Sequence, residues 1–328
     1  MIKRHQFGFA CVWAACAASV LAGPAQSLVL TTHSVYGREY VALGDVMRVF
    51  ALKAQSGRDR SVTLFSPQAR ARFVVDSREA EVQGVKYWLT APLAVKSGQM
   101  WLPAVDVVKT LDPLLRGSGL MANGPLRTIV LDPGHGGDDQ GSRARNGLLE
   151  KHLTLDMARR LHALLAAKGY CVLLTRTDDR DMALQSRSAF ARGNHADLFV
   201  SIHFNSVTSS SEPCGAETYC LTPAGAPSTA NRTTSPIASD FVSFLANRFD
   251  NDNVVLAHYI QQHLVSKTGA AERGVKRARF EVLKDLTCPG VLVECGFLSN
   301  AGDLRLISQD THRQKLAAAI ASGIEAYK

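Results

Sequence analysis

The pattern of apolar and polar positions divides the chain into two stretches with different periods. Between residues 28 and 116, short alternating runs (SVTLFS, ARFVVDS, AEVQGV, KYWLTAP) predict β-strands with one buried face. Two flanking segments look alike, EYVALGDVMRVF at 39–50 and MWLPAVDVVKTL at 100–111. Each reads as a short strand followed by an amphipathic helix that starts near Leu43 or Pro103. This stretch is expected to form a small α+β domain. From residue 127 onward the apolar runs become continuous, as in strands buried on both faces. They predict strands at 127–132, 171–176, 198–203, 216–221, 280–283 and 290–294, and helices at 150–168, 182–194, 254–268 and 310–327. Gly169 is placed to stop the first of these helices. Strands alternating with helices predict a layered α/β sheet with helices on both faces over 127–328. A small, turn-rich linker around SGLMANGP, 117–126, separates the two stretches.

Ahead of both lies a basic start (Lys3, Arg4), an apolar run at 7–21 and small residues at 22–25. That layout predicts a signal peptide over 1–25 and a periplasmic or secreted location. The apolar run is short for a membrane span, so no span is expected after cleavage. The 328 residues carry 46% hydrophobic and 20% charged side chains, enough for a packed core. The formal charge of +8 comes without a basic run or a basic–aromatic stripe, which argues against a nucleic-acid partner. Of the seven cysteines, Cys11 and Cys16 fall in the leader and no CxxC pair exists, so a thiolate metal site is not expected. Cys214 and Cys220 flank a predicted strand whose six residues span roughly 20 Å, too far for a bridge. Spacing weakens Cys288 with Cys295 in the same way. Free, buried cysteines are expected, with a bridge from Cys171 left open.

The chemistry concentrates at strand ends. The first long strand runs through Pro133-Gly134 to His135, the run DLFVSIHFNS brings His203, and GVLVECGF brings Glu294. Glu150 opens the first long helix. Taken singly, each has an ordinary reading: a surface histidine, or a carboxylate favoured by a helix N-terminus. A glutamate at the end of GVLV is harder to bury without a partner. Hydrolytic zinc sites take three protein ligands of the His/His/Glu kind plus a water, with a further carboxylate as general base. The set fits as His135, Glu150 and His203 for the metal and Glu294 for the base. Asp132 is read either as a residue that orients a ligand histidine or as turn chemistry. Asn205 is read as facing substrate. Arg176 binds a carboxylate or pairs with Asp178 or Asp181, and Arg187 is structural. His152, His162, His195, His258, His263 and His312 match no ligand position.

The segments LDPGHGGDDQGS, GLLEKHLTLDMARRL, LLTRTDD, ADLFVSIHFNS and VLVECGFLSN, in this order and spacing, resemble the zinc-dependent N-acetylmuramoyl-L-alanine amidases (the amidase-3 family). The likeness covers about 128–328. It implies a mixed sheet flanked by helices, related to zinc carboxypeptidases, and hydrolysis of the amide between N-acetylmuramic acid and L-alanine in peptidoglycan. Carried over residue by residue, it implies Zn2+ on His135, Glu150 and His203, and Glu294 as the catalytic residue. Arg273, whose surrounding ERGVKRARFEVLK reads as a basic loop, either engages the anionic stem peptide or is simply solvated. The loop 136–149 is expected to wall the substrate groove. The front stretch resembles the copper-amine-oxidase-like N-terminal stalk domain, which implies a spacer or wall-binding module. The stretch 222–253 is long for a connection, and its DFVSFLANRF reads as a short helix. Longer insertions at this place in some family members cover the zinc until a protein activator moves them; here loop padding is the simpler reading, and an activator is left open as a partner. Two rivals remain, a zinc carboxypeptidase-type peptidase and a non-catalytic peptidoglycan-binding protein.

Overall fold

The computed structural model describes residues 30–117, 125–208, 213–229 and 237–328. The leader at 1–25 and most of the linker lie outside the described residues. In the front region, β1 (His33–Val35) and β2 (Arg38–Ala42) lead into α1 (Leu43–Val49). An antiparallel meander follows: β3 (Lys53–Ser56), β4 (Ser61–Phe65), β5 (Arg70–Val74), β6 (Glu79–Val82) and β7 (Val85–Trp88). Next come β8 (Ala94–Lys96) and β9 (Gln99–Pro103). The latter runs into α2 (Ala104–Asp106), a π-helical turn (Val107–Leu111) and α3 (Asp112–Arg116). The two look-alike segments thus share a strand-to-helix form, and their strands β2 and β9 pair antiparallel. The front region is mostly β.

The second region contains β10 (Thr128–Pro133), α4 (Glu150–Ala166), β11 (Cys171–Leu174), α5 (Leu184–Gly193), β12 (Leu198–Asn205) and β13 (Ala216–Leu221). It continues with α6 (Asp250–Thr268), β14 (Glu272–Ala278), α7 (Glu281–Lys284), β15 (Gly290–Phe297), α8 (Ala301–Ile307) and α9 (Asp310–Tyr327). Alternation along the buried strands sorts side chains onto two faces. Ile129 and Leu131, Leu198 and Val200, and Val291 and Val293 pack with Met157 and Leu161 of α4, Leu256 of α6 and Ile320 of α9. Val130, Phe199 and Leu292 pack the other way, with Ala191 of α5 and Val282 and Leu283 of α7. The fold is therefore a mixed α/β sheet flanked by helices on both faces.

The sheet does not stop at the second region. Its order is β11-β10-β12-β15-β13-β14-β7-β6-β5-β4-β3, so the front meander continues it through a parallel β14–β7 contact at Val275 and Tyr87. One apolar core runs from Leu64 and Phe73 in the meander to Leu256 and Ile260 in α6. Polar contacts cross the same seam. Trp88 Nε1 donates to the Arg273 carbonyl at 3.1 Å. The Arg277 guanidinium donates to the Lys109 carbonyl and, at 3.1 Å, to Thr110 Oγ1.

At this seam Tyr87 Oη and His258 Nδ1 are hydrogen-bonded at 2.8 Å, with His258 only 5% exposed. Burial, with His263 adding to it, pushes the His258 imidazole down to about 4. In the unfolded chain the ring takes up its proton near 6.5, so between these values the unfolded state binds more protons than the folded one. The contribution is complete above about pH 6.5 and is lost as pH falls towards 4, a change of about 3 kcal/mol. His258→Gln keeps an acceptor for Tyr87 and removes the titration. Its urea midpoint should vary less steeply than wild type between pH 4 and 6.5; equal slopes would show that His258 contributes nothing.

Three sequence expectations change. The strand expected at 280–283 is the helix α7, and the expected basic loop before it is the strand β14. A short apolar run does not distinguish the two forms. The charges of β14 are accommodated because Lys276 and Arg273 meet Glu217 and Arg277 meets the front region. The helix expected in DFVSFLANRF is two separate 3₁₀ turns, Ala238–Phe241 and Leu245–Phe249. Asp240 and Asn247 take the Ile237 and Phe244 amides on their side chains, a local alternative to helix hydrogen bonds. All five described cysteines are free; Cys220, Cys288 and Cys295 are buried, while Cys171 and Cys214 are exposed. Among the described residues no helix is long and apolar enough to cross a membrane.

Candidate active site

The chain leaves β10 through Pro133-Gly134, and a Cβ at Gly134 would lie 2.1 Å from His203 Cε1, so only glycine lets this backbone pass the histidine ring. His135 follows with φ +62°, a left-handed conformation that non-glycine residues rarely adopt and that collects at functional sites. Two buried arginines hold this turn from behind. Arg187 donates to the carbonyls of Pro133 (2.8 Å) and His135 (2.9 Å). Arg176 donates to the carbonyls of Pro133, Gly134, Lys151 and Asp178 and to Thr154 Oγ1. Arg176 is 0% exposed. The carboxylate-binding role and the ion pair with Asp178 or Asp181 are both corrected: its donors go to backbone carbonyls, where it ties the His135 turn to the start of α4.

Asp132 is corrected as well, since it touches no histidine. It accepts from Thr175 Oγ1 (2.6 Å), Ser201 Oγ (2.7 Å) and Arg187 Nη1 (2.9 Å), wholly buried beneath the site. Asp132→Ala leaves the buried Arg187 guanidinium without its counter-charge, at an expected cost of about 3–5 kcal/mol. Urea denaturation of the variant measures this directly, and a loss under about 1 kcal/mol would contradict a buried, paired role.

The residue that orients a histidine is Asp139, whose Oδ2 is 2.8 Å from His135 Nδ1. That contact leaves Nε2 facing inward. Glu150 reaches the same centre because the loop 136–149 closes on itself: the Glu150 amide donates to the Ser142 carbonyl at 2.9 Å, and the Ala144 amide to Leu148. Its carboxylate is anchored by the amides of Ser142 (2.9 Å) and Phe204 (3.1 Å). Glu150 Oε1 lies 3.1 Å from His135 Nε2 and 3.0 Å from His203 Nδ1. Gly141, at φ +63°, fits closely against both, since a Cβ there would meet His135 at 2.6 Å and Glu150 at 2.8 Å. Among the described residues, His135, Glu150 and His203 are the group whose ligand atoms converge, all within 4.8 Å of one another.

His203 and Glu294 are Cα partners across β12 and β15, and Glu294 and Glu217 across β15 and β13, so the three side chains leave one face in a row. His135, Ser142, Glu150, His203, Asn205 and Glu294 line a pocket of about 310 Å³. Burial alone would raise the Glu150 carboxyl, but hydrogen bonds from His135 and His203 outweigh it and hold the carboxyl well below the usual range. His135 is raised: burial works against its proton, and Glu150 and Asp139 overcome it. Glu294 is pushed well above the carboxylate range, by burial first and then by the charges of Glu150 and Glu217. Its Oε2 is buried without a hydrogen-bond partner. Two imidazole nitrogens and a carboxylate around a small polar pocket, beside an unpartnered carboxyl, suit a divalent metal and a water.

The remaining candidates separate. Asn205 lines the pocket with its Nδ2 on Glu217 Oε1 at 2.9 Å. Arg273 lies further out, its Nε 2.8 Å from Glu217 Oε2. Sequence reasoning passed over Glu217; its signal was a carboxylate inside a strand that is buried along its whole length. The described part of 222–253 does not line the pocket. Arg279 holds it elsewhere, through Asp240 Oδ1 (2.7 Å) and the carbonyls of Pro223, Ala226 and Asp240.

Comparison with known proteins agrees with this geometry. Residues 129–326 match the family model described as N-acetylmuramoyl-L-alanine amidase. The chain is 38% identical over 200 residues to the N-acetylmuramoyl-L-alanine amidase LytC of Bacillus subtilis, covering 61% of this chain but only 35% of LytC. Its structure resembles the N-acetylmuramoyl-L-alanine amidase of Clostridium difficile 630, at 30% identity and TM-score 0.52, covering 62% of this chain and 97% of that one. The CwlD amidase from Clostridioides difficile, solved in complex with the GerS lipoprotein, matches at 30% identity and TM-score 0.51, covering 61% of this chain and 98% of CwlD.

Proposed function

We propose that this chain, which belongs to the N-acetylmuramoyl-L-alanine amidase family, is a zinc-dependent hydrolase of peptidoglycan, cutting the amide between the lactyl group of N-acetylmuramic acid and L-alanine of the stem peptide. The observation that carries this reading is the convergence of His135, Glu150 and His203 beside a half-buried Glu294 whose Oε2 is closed off from solvent and unpartnered. His135 Nε2, His203 Nδ1 and the Glu150 carboxylate are the atoms that would hold the metal. When bound there, zinc supplies a Lewis acid for the amide carbonyl, lowers the pKa of a water, and offsets the negative charge of Glu150 and Glu217 that opposes ionisation of Glu294. Glu294 takes the proton of the attacking water and passes it to the departing alanine nitrogen. Asp139 fixes the His135 ring, and Arg176 and Arg187 fix the turn that carries it. Asn205, held by Glu217, faces the substrate.

The basic, apolar and small-residue leader supports export to the periplasm or beyond. The CwlD–GerS complex supports a partner protein for this chain also. The resemblance of the front region supports a stalk or wall-binding role, and its Trp88 braces β14. Digestion of purified peptidoglycan, with mass analysis of the products, tests the reading. Stem peptides with a free L-alanine amino terminus are expected, abolished by a chelator and restored by zinc. Release of a C-terminal amino acid instead would mark a carboxypeptidase, and intact peptidoglycan a wall-binding protein.

A further inference from the structure

Glu217 gathers an unusual set of groups one strand beyond Glu294. Its carboxylate is 2% exposed. Oε1 accepts from Asn205 Nδ2 (2.9 Å) and the Tyr219 hydroxyl (2.7 Å), and Oε2 from Arg273 Nε (2.8 Å) and Lys276 Nζ (2.5 Å). One carboxylate therefore faces two cations. Glu294 stands next in the row and shares the Lys276 charge, which leaves the Arg273 charge to reach water or an anion. Lys276 is the inner cation, 14% exposed, and Arg273 at 30% is the one that reaches outward.

Arg273 is held in three ways. Its Nε is on Glu217, its guanidinium carbon lies 4.7 Å from the centroid of the Phe297 ring, and its backbone carbonyl accepts from Trp88 Nε1 of the front region. The neighbouring Gly274, at φ +91°, lets β14 approach β7 closely, since a Cβ there would sit 2.8 Å from the Lys86 carbonyl oxygen. Among the described residues, neither terminal guanidinium nitrogen of Arg273 has a hydrogen-bond partner. Phe297 is the Cα partner of Asn205, which lines the pocket shared by Glu294 and the three convergent residues. An oriented planar fork with both terminal nitrogens unengaged is suited to bidentate binding of a carboxylate.

We propose that Arg273 is a specificity-determining residue that receives a free carboxylate of the stem peptide, and that Glu217 and Lys276 position it. This rests on the amidase reading and names the part of the substrate recognised. The test uses two N-acetylmuramoyl tripeptides, one with a free α-carboxylate on its second residue and one with that group amidated. The wild-type protein is expected to favour the free acid by about tenfold or more in kcat/KM, mainly through KM. Arg273→Met should bring that ratio close to one, Arg273→Lys should lower it in part, and Glu217→Gln should lower it while thermal melting confirms a folded protein. A wild-type ratio under about twofold, or an unchanged ratio in Arg273→Met or Glu217→Gln, would overturn the proposal. Failure of the amidase reading looks different, since neither tripeptide would then yield a peptide with an L-alanine amino terminus.

Discussion

Glu294→Gln is expected to lower amidase turnover by about 10²–10⁴-fold with zinc retained. Glutamine keeps the size of the side chain and can still touch a water, but it cannot accept the water's proton. The residue stands on the same sheet face as His203 and is not one of the three convergent side chains, so the proposed metal set stays whole. The substitution should also leave the fold undisturbed. The Glu294 carboxyl is buried beside Glu150 and Glu217, and both press against its ionisation. Removing an ionisable group from that setting predicts a melting temperature equal to or above wild type in metal-free protein. Zinc content, melting and muropeptide turnover measured on one preparation separate these claims. A zinc-loaded variant with more than about a tenth of wild-type turnover would remove Glu294 from the proton-transfer role.

The layers and the gathering of the site residues were legible in the sequence for a common reason. Continuous apolar runs have few ways to be buried, and a histidine or glutamate at the end of such a run must meet a partner. That logic reached His135, His203, Glu294 and a layered sheet with helices on both faces; that the sheet is mixed came from the resemblance. It stopped where a residue's meaning depends on neighbours far along the chain. Arg176 and Asp132 sit near the motifs and look like candidates for substrate or histidine. Burial instead commits Arg176 to backbone carbonyls and Asp132 to Arg187, Thr175 and Ser201. Asp139 was hidden among glycines and a neighbouring aspartate, and only loop closure brings it to the His135 ring. β14 was read as a loop because three of its seven residues are arginine or lysine. No local pattern shows that Glu217 lies across the strand to receive two of them, or that the front region supplies the carbonyl and hydroxyl for the third. The continuation of the sheet through β7 was equally invisible, because it depends on one parallel contact between segments almost 190 residues apart, Tyr87 and Val275.

Glu150 is the residue whose loss should do most damage, because the proposed metal and the fold both depend on it. Its carboxylate lies within 3.1 Å of a ring nitrogen on each of the two histidines and accepts the Ser142 and Phe204 amides, all in a buried position. Glu150→Ala should lose stoichiometric zinc and all measurable lytic activity. It should also leave two amides without an acceptor, at about 1–3 kcal/mol each where they stay dry. Glu150→Gln separates the two roles. Its amide oxygen can still accept from a backbone amide, so less stability is lost, while the anionic ligand is gone and zinc affinity should fall steeply. The expected ordering is therefore wild type, then glutamine, then alanine in urea stability, with both variants near background in zinc content and turnover. A Glu150→Gln protein that bound one zinc per chain and lysed cell walls at the wild-type rate would show that the three convergent side chains are not the metal site, whatever their geometry.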